Sequence, residues 1–494
     1  MKNLTILKLE YIFVFIYILF HIFFINLDPI NDEYIFYSGA DFIGTQNIEI
    51  INIFFDYNAN TLGFSYLIFI FSTIFNTDNF YLIGKIISLS SYIFLYFGIL
   101  NFIKIFEIKK KFEILIIIFL CPIVFTYGFR ATPDLFSFCL AFFSFSLILI
   151  KKKIIIKLLA FFLLSIAFVI KPINGIALFF VFLYYFLFNK KKIFQLENII
   201  GVILFFLLST TFFYLNYKNH GFAIISPNWR NLDTSENNFL VNFIYYLGFL
   251  NLVILPFNFK FILKEILNLK NFVLFTLISL TIFSYQFIHI SESINEINFG
   301  FLSDGLNEYI LKLFFGLNAC FFIFFFFISI STKNRNHTLY FILITTLTYL
   351  LIISNFSPAQ RYLMILFPTI YLLALRQNYH KIIYIIVLLT YFVLNLLILN
   401  NHLVISDLSK KTHNFLIKEG LLNQTHPGYF GQHSLSRFAK FYDSKMNIIS
   451  QNNIFDQKKK YIITNEIKSY ENVIFSYSSN KFLINREIFV VLRN

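Results

Sequence analysis

Apolar stretches long enough to cross a bilayer recur along the chain as far as residue 400, and no water-facing fold accommodates so many of them. A hydrocarbon core about 30 Å thick needs roughly 20 helical residues at about 1.5 Å of rise each. By that measure the sequence predicts thirteen spans, near 9–27, 80–103, 112–130, 135–150, 154–170, 174–189, 198–217, 239–258, 272–290, 309–330, 338–355, 362–375 and 382–400. The stretches 135–150 and 362–375 are short, and within 154–189 and 338–375 little more than a proline-containing turn parts two spans. Composition agrees: 58% of the 494 residues are hydrophobic and 13% are charged, against roughly half and a quarter in soluble domains. The 73 Phe and 30 Tyr accompany abundant Ile, Asn and Lys, the mark of an adenine- and thymine-rich coding sequence, so aromatic richness is no sign of stacking chemistry. Cys121, Cys139 and Cys320 all fall in apolar stretches and read as packing residues, which excludes a disulfide framework or a zinc cysteine cluster.

Charge orients the spans, because Lys and Arg collect in short cytoplasmic loops. The first stretch lacks a small-residue cleavage site and is read as a retained span, with Lys2 and Lys8 in the cytosol. Alternation then sends Lys104, Lys109 to Lys111, Lys151 to Lys153, Lys190 to Lys192 and Lys260 to the same side. The opposite loops hold far fewer cations: Arg130, Lys171, Lys218, Arg230 and Arg361. The net charge of +14 therefore reports orientation, and a nucleic-acid partner is not needed to explain it. An odd number of spans places the tail outside. From 401 to 494 the composition turns polar, with strand-like "YIIT", "NVIFSY" and "REIFVVLR". The expected fold is an all-α polytopic membrane protein with a small C-terminal α/β domain outside the membrane. The stretch 61–75 is too short to span and is expected to lie in the interface, within a first outer loop of 28–79.

Acids are scarce, and that loop gathers them. Asp28, Asp41, Asp56 and Asp78 fit a wet loop. Asp32 and Glu33 lie within a turn of Tyr34 and Tyr37, in a segment expected to stay against the membrane, where a partly desolvated carboxylate is a better proton acceptor. In the brief second loop, "FRATPDLFSF", Thr132 can cap a helix that begins at Pro133, and Asp134 then meets a favourable helix dipole. The topology brings Arg130 and Asp134 to the same surface as Asp32 and Glu33. Two such carboxylate sites, Asp32 and Asp134, either hold a divalent metal or divide base and positioning roles. Lys171 in "VIKPING" and Arg361 in "SPAQRYLMILFP" are outer cations that either snorkel or bind an anion such as a lipid phosphate. His426 and His433 fit a solvated loop better than a metal pair.

The order of these features, an acidic "DE" after the first span, an aromatic interfacial helix, "TPD", "KPING" and a late "RYLMILFP", resembles the GT-C integral-membrane glycosyltransferases. The branch it is most similar to contains the aminoarabinose lipid A transferases and the dolichyl-phosphate-mannose protein mannosyltransferases. The resemblance implies an inverting transferase that takes a sugar from a polyprenyl-phosphate donor and passes it to a lipid, glycan or protein acceptor on the outer face of a bacterial inner membrane. It implies that Asp32 is the catalytic base with Glu33 its acidic neighbour, that Asp134 helps shape the donor or metal site, and that Lys171 and Arg361, beside Arg130, hold the donor phosphate. A divalent metal is the one cofactor it leaves open. The Lys-Pro pair of the aminoarabinose branch is missing from "FDYNANTLGF", so the donor phosphate must be held otherwise than in that branch. Two other classes share the membrane architecture: a transporter of polysaccharide or lipid-linked sugar, and an oligosaccharide polymerase. A transporter is expected to carry internal repeats and ionisable groups near the midplane, whereas the charges here sit at span ends.

Overall fold

The computed structural model describes residues 2–27, 33–45, 62–150, 153–220, 239–288, 308–331, 337–355, 360–376, 381–421, 424–426, 460–464, 472–481 and 484–492. Each of the thirteen expected spans coincides with helix. In chain order the helices are α1 (Lys2–Phe23), α2 (Glu33–Thr45), α3 (Gly63–Ile74), α4 (Phe80–Ile105), α5 (Lys111–Leu120), α6 (Pro122–Gly128), α7 (Pro133–Ile150) and α8 (Ile154–Ile170). There follow α9 (Ile176–Phe188), α10 (Leu196–His220), α11 (Phe239–Ile266), α12 (Leu269–Ile288), α13 (Glu308–Ser331), α14 (His337–Ile353), α15 (Phe367–Arg376) and α16 (Lys381–Lys418). Among the described residues five helices, α4, α7, α10, α11 and α16, are individually long and apolar enough to cross a membrane, and α5 with α6 makes a sixth. The other expected spans are shorter apolar helices.

Helix α7 lies at the centre. Of its side chains only Phe143 and Ile150 are not buried, as expected of a helix apolar all round. It packs against α4 and α8, and α8 in turn packs against α10; α11 pairs with α13. Hydroxyls inside this apolar bundle return their protons to their own helix, as in Ser144 Oγ to the Leu140 carbonyl at 2.7 Å and Thr346 Oγ1 to Ile342 at 2.7 Å.

Two expectations are corrected. The third span is not continuous: α5 and α6 meet at an angle of 59°, because Pro122 has no N–H to carry the helix through. Carbonyls freed there cannot turn to water inside a membrane. Tyr17 Oη of α1 donates to the Phe119 carbonyl at 2.6 Å, and Asn395 Nδ2 of α16 donates to that of Leu120 at 2.9 Å. The stretch 362–375 opens as a 3-10 turn, Gln360–Leu366, and only then becomes α15. Helix α16 runs through residue 401 to Lys418 because Val404, Ile405, Leu408 and Leu416 keep a buried apolar face.

The strand-like runs form a four-stranded sheet, β1 (Thr425–His426), β2 (Tyr461–Thr464), β3 (Asn472–Lys481) and β4 (Ile484–Leu492), in the order β1-β2-β4-β3. Strands β1 and β2 are parallel, whereas β4 is antiparallel to both of its neighbours, with Ile463 opposite Val490. The sheet docks on the end of α16. Tyr477 Oη and Ser479 Oγ donate to Asp407 Oδ2 at 3.0 and 2.8 Å, and Phe475 stacks on Phe415 at 4.3 Å.

Candidate functional site

Helices α5 with α6, α8 and α9 each have one end beside a lysine-rich turn and the other beside the same group of acids and cations. The segment after α6, the start of α7, the turn between α8 and α9 and the 3-10 turn before α15 all converge there. Helix α7 has 18 residues, about 27 Å at 1.5 Å each, so this group lies roughly one hydrocarbon thickness from the Lys153 end.

Asp134 occupies the second position of α7, behind Pro133, and is 4% exposed. Its Oδ1 accepts from Lys171 Nζ and lies 3.6 Å from Arg361 Nε. Lys171 leaves the last turn of α8 in an extended conformation, with Pro172 opening the 3-10 turn Pro172–Gly175 behind it. Its side chain is 8% exposed, and its ammonium sits 4.8 Å from the centre of the Tyr362 ring. The Arg361 guanidinium is 5.5 Å from the same ring. Two cations are thus held close by a shared carboxylate and a shared aromatic face. For Lys171 that excludes snorkelling to water. Tyr349 of α14 donates to the Tyr362 carbonyl at 2.5 Å and fixes the turn that carries Arg361. Asp134, Phe138, Lys171, Asn174, Tyr349 and Arg361 close around one narrow, nearly filled cleft.

Glu33 opens α2 and is 1% exposed. Its Oε1 accepts the Ala131 N–H at 3.0 Å and lies 3.5 Å from Arg130 Nε. Helix α2 turns Phe36, Tyr37 and Ala40 inwards, and α3, the expected interfacial helix, braces it through Ser65 Oγ to the Phe36 carbonyl at 3.0 Å. At the start of α3, Gly63 is required because a Cβ there would come within 2.7 Å of the Val169 carbonyl, in the last turn of α8. Arg130 faces Glu33 and lies 5.1 Å from the Tyr127 ring.

The structure therefore brings Lys171, Arg361 and Asp134 together, and joins Glu33 to Arg130 across the second loop. Asp32, like Asp28, Asp56, Arg230 and His433, lies outside the described residues. Thr132 does not cap α7: its buried hydroxyl makes no hydrogen bond among the described residues, since the backbone beside it is drawn to Glu33. The expected metal pair fits poorly at its described member. Asp134 already shares its oxygen with two cations, which leaves a net charge near +1 suited to an anion, and among the described residues no group of three His, Cys, Asp or Glu comes together. Tyr349 and Asn174 escaped the sequence reading. Asn174 stood inside "KPING", whereas nothing around Tyr349 in a long apolar run marks it.

No family model and no curated protein matches the chain. Among solved structures it is similar to ArnT from Cupriavidus metallidurans in the apo state, at 11% identity over 89% of this chain and 85% of that one, with a TM-score of 0.44. It is also similar to ArnT from Cupriavidus metallidurans bound to undecaprenyl phosphate, at 10% identity over 87% of this chain and 84% of that one, with a TM-score of 0.42.

Proposed function

We propose that the chain is an integral-membrane glycosyltransferase that moves a sugar from a polyprenyl-phosphate donor to an acceptor hydroxyl at the outer face of the membrane. The observation that carries this reading is the convergence of Lys171 and Arg361 on Asp134, at the end of the helices opposite the lysine-rich turns. A lipid phosphate lies at that depth. The two cations exceed the single carboxylate by one charge, and the phosphate gains negative charge as the bond to the sugar breaks, so the pair stabilises the transition state more than the bound donor. Asp134 keeps both cations aimed at one point. The acceptor hydroxyl loses its proton to Asp32, next to Glu33, whose contacts with Arg130 and the Ala131 N–H fasten the start of α2 to the rim of the same site. Attack from the side opposite the leaving phosphate inverts the sugar. No step is routed through a metal.

The test is to incubate the purified protein in nanodiscs with labelled polyprenyl-phosphate sugars and an envelope lipid extract. Free polyprenyl phosphate and a labelled acceptor are expected. Passage of the intact lipid-linked sugar across proteoliposomes without cleavage would make the chain a transporter, and elongation of an oligosaccharide chain would make it a polymerase.

A further inference from the structure

We propose that His21 and Tyr92 are positioning residues, which lock the end of α6 so that the segment from Phe129 to Asp134 presents Arg130 and the Ala131 N–H to Glu33. The inference rests on the transferase reading for its kinetic consequence, though not for its geometry.

Helix α6 has only seven residues and hangs between the Pro122 break and the second loop. So short a helix is not stable by itself, and side chains from α1 and α4 fix it. His21 of α1 is 2% exposed. Its Nδ1 lies 2.9 Å from the Tyr17 carbonyl, and its Nε2 lies 3.3 Å from the Phe125 carbonyl of α6 and 3.0 Å from Tyr92 Oη. Tyr92 of α4 is fully buried, and its hydroxyl also lies 3.0 Å from the Val124 carbonyl and 3.4 Å from that of Phe125, both in α6. The His21 ring stacks on Phe129 at 4.2 Å with an interplanar angle of 16°. A Cβ built on Gly128 would overlap the Tyr92 hydroxyl, so the tyrosine fills the side-chain space of the last residue of α6. Two residues further on, Arg130 meets Glu33.

Neither His21 nor Tyr92 lines the cleft, and neither touches Lys171 or Arg361, which stand on other elements. Loosening α6 should therefore disturb the Glu33 side of the site and spare the cations. For Tyr92→Phe, which keeps the ring and removes the hydroxyl, kcat per folded molecule is expected to fall about tenfold, with the donor KM within about twofold. A purely structural role would lower the yield of folded protein and leave kcat per folded molecule intact, and that result would overturn the proposal. A second measurement does not depend on activity: thermal melting of Tyr92→Phe, Glu33→Gln and the double variant. If Tyr92 acts through the Glu33 contact, the double variant loses less than the sum of the single losses. Additive losses would refute the coupling even where the wild type transfers sugar. Coupled losses in a protein that transfers no sugar would keep the positioning and sink the transferase reading.

Discussion

Asp134→Asn removes the carboxylate that Lys171 and Arg361 share and leaves two cations face to face. The side chains of Asp134 and Lys171 are 4% and 8% exposed, that of Arg361 27%. Unpairing a buried charge costs about 3–5 kcal/mol. Because asparagine keeps an acceptor oxygen and Arg361 is partly wet, the lower end, about 3 kcal/mol, is expected, most of it from Lys171. Lys171→Met should cost less, since Arg361 remains 3.6 Å from the carboxylate. The informative variant carries both changes. With both charges of the inner pair gone, nothing there needs desolvating, and the double variant should lose roughly 2 kcal/mol less than the sum of the single losses. Unfolding by SDS in mixed micelles at fixed total detergent measures all four proteins. Losses that add to within about 0.5 kcal/mol would show that the two residues share no charge interaction. Sugar transfer is read in parallel. The double variant, less destabilised than the sum of its parts, should stay impaired because it lacks the cation, and full activity in it would take Lys171 out of phosphate binding.

Asp32→Asn is expected to slow transfer by about a hundredfold to ten-thousandfold, the usual cost of losing a general base, while Asp41→Asn stays within a few-fold; rates per folded molecule decide it, and an active Asp32→Asn protein with an inactive Asp134→Asn one would move the base to the second loop. The bond to Asp407 holds the Tyr477 phenol above its ordinary pKa, so that contact contributes stability that is fully present below about pH 10 and lost as pH rises through the raised value; limited proteolysis of the C-terminal sheet should accelerate in that window, and Tyr477→Phe should abolish the dependence. A cysteine at Ser478, exposed on β3, should react with an impermeant maleimide in spheroplasts, whereas one at Lys191 should react only after lysis, the native thiols being buried; the reverse pattern would invert the topology.

The helices were legible because continuous apolar stretches between lysine-rich turns mark them, and the stretch 61–75 reappears as helix α3 almost unchanged. The break at Pro122 was less legible: a proline inside an apolar stretch kinks some helices and merely begins others, and here the outcome depends on Tyr17 and Asn395, which come from distant helices to take the freed carbonyls. The same limit applies at the site. Lys171, Asp134 and Arg361 stood out because charge is rare and each lies beside a proline-marked turn, but their meeting at one oxygen is a property of how α7, α8 and the 3-10 turn at Gln360–Leu366 pack. Arg130 shows the cost of reading loops singly. It faces Glu33, nearly a hundred residues earlier, and no local pattern encodes that pairing. Polar composition from 401 marks where the chain is expected to leave the lipid, whereas α16 continues to Lys418 because its buried face continues.

At 38 residues, α16 is about 57 Å long, of which a bilayer core takes about 30 Å. The remaining 27 Å or so carries the sheet along its length, through Asp407 about 10 Å and Phe415 about 22 Å past residue 400. Membrane helices commonly tilt by about 20°, and a change of only about 10° in α16 would sweep its far end through roughly 5 Å, the spacing between neighbouring strands. A bilayer that changed the tilt of α16 would therefore change the height and lean of the sheet above the membrane surface.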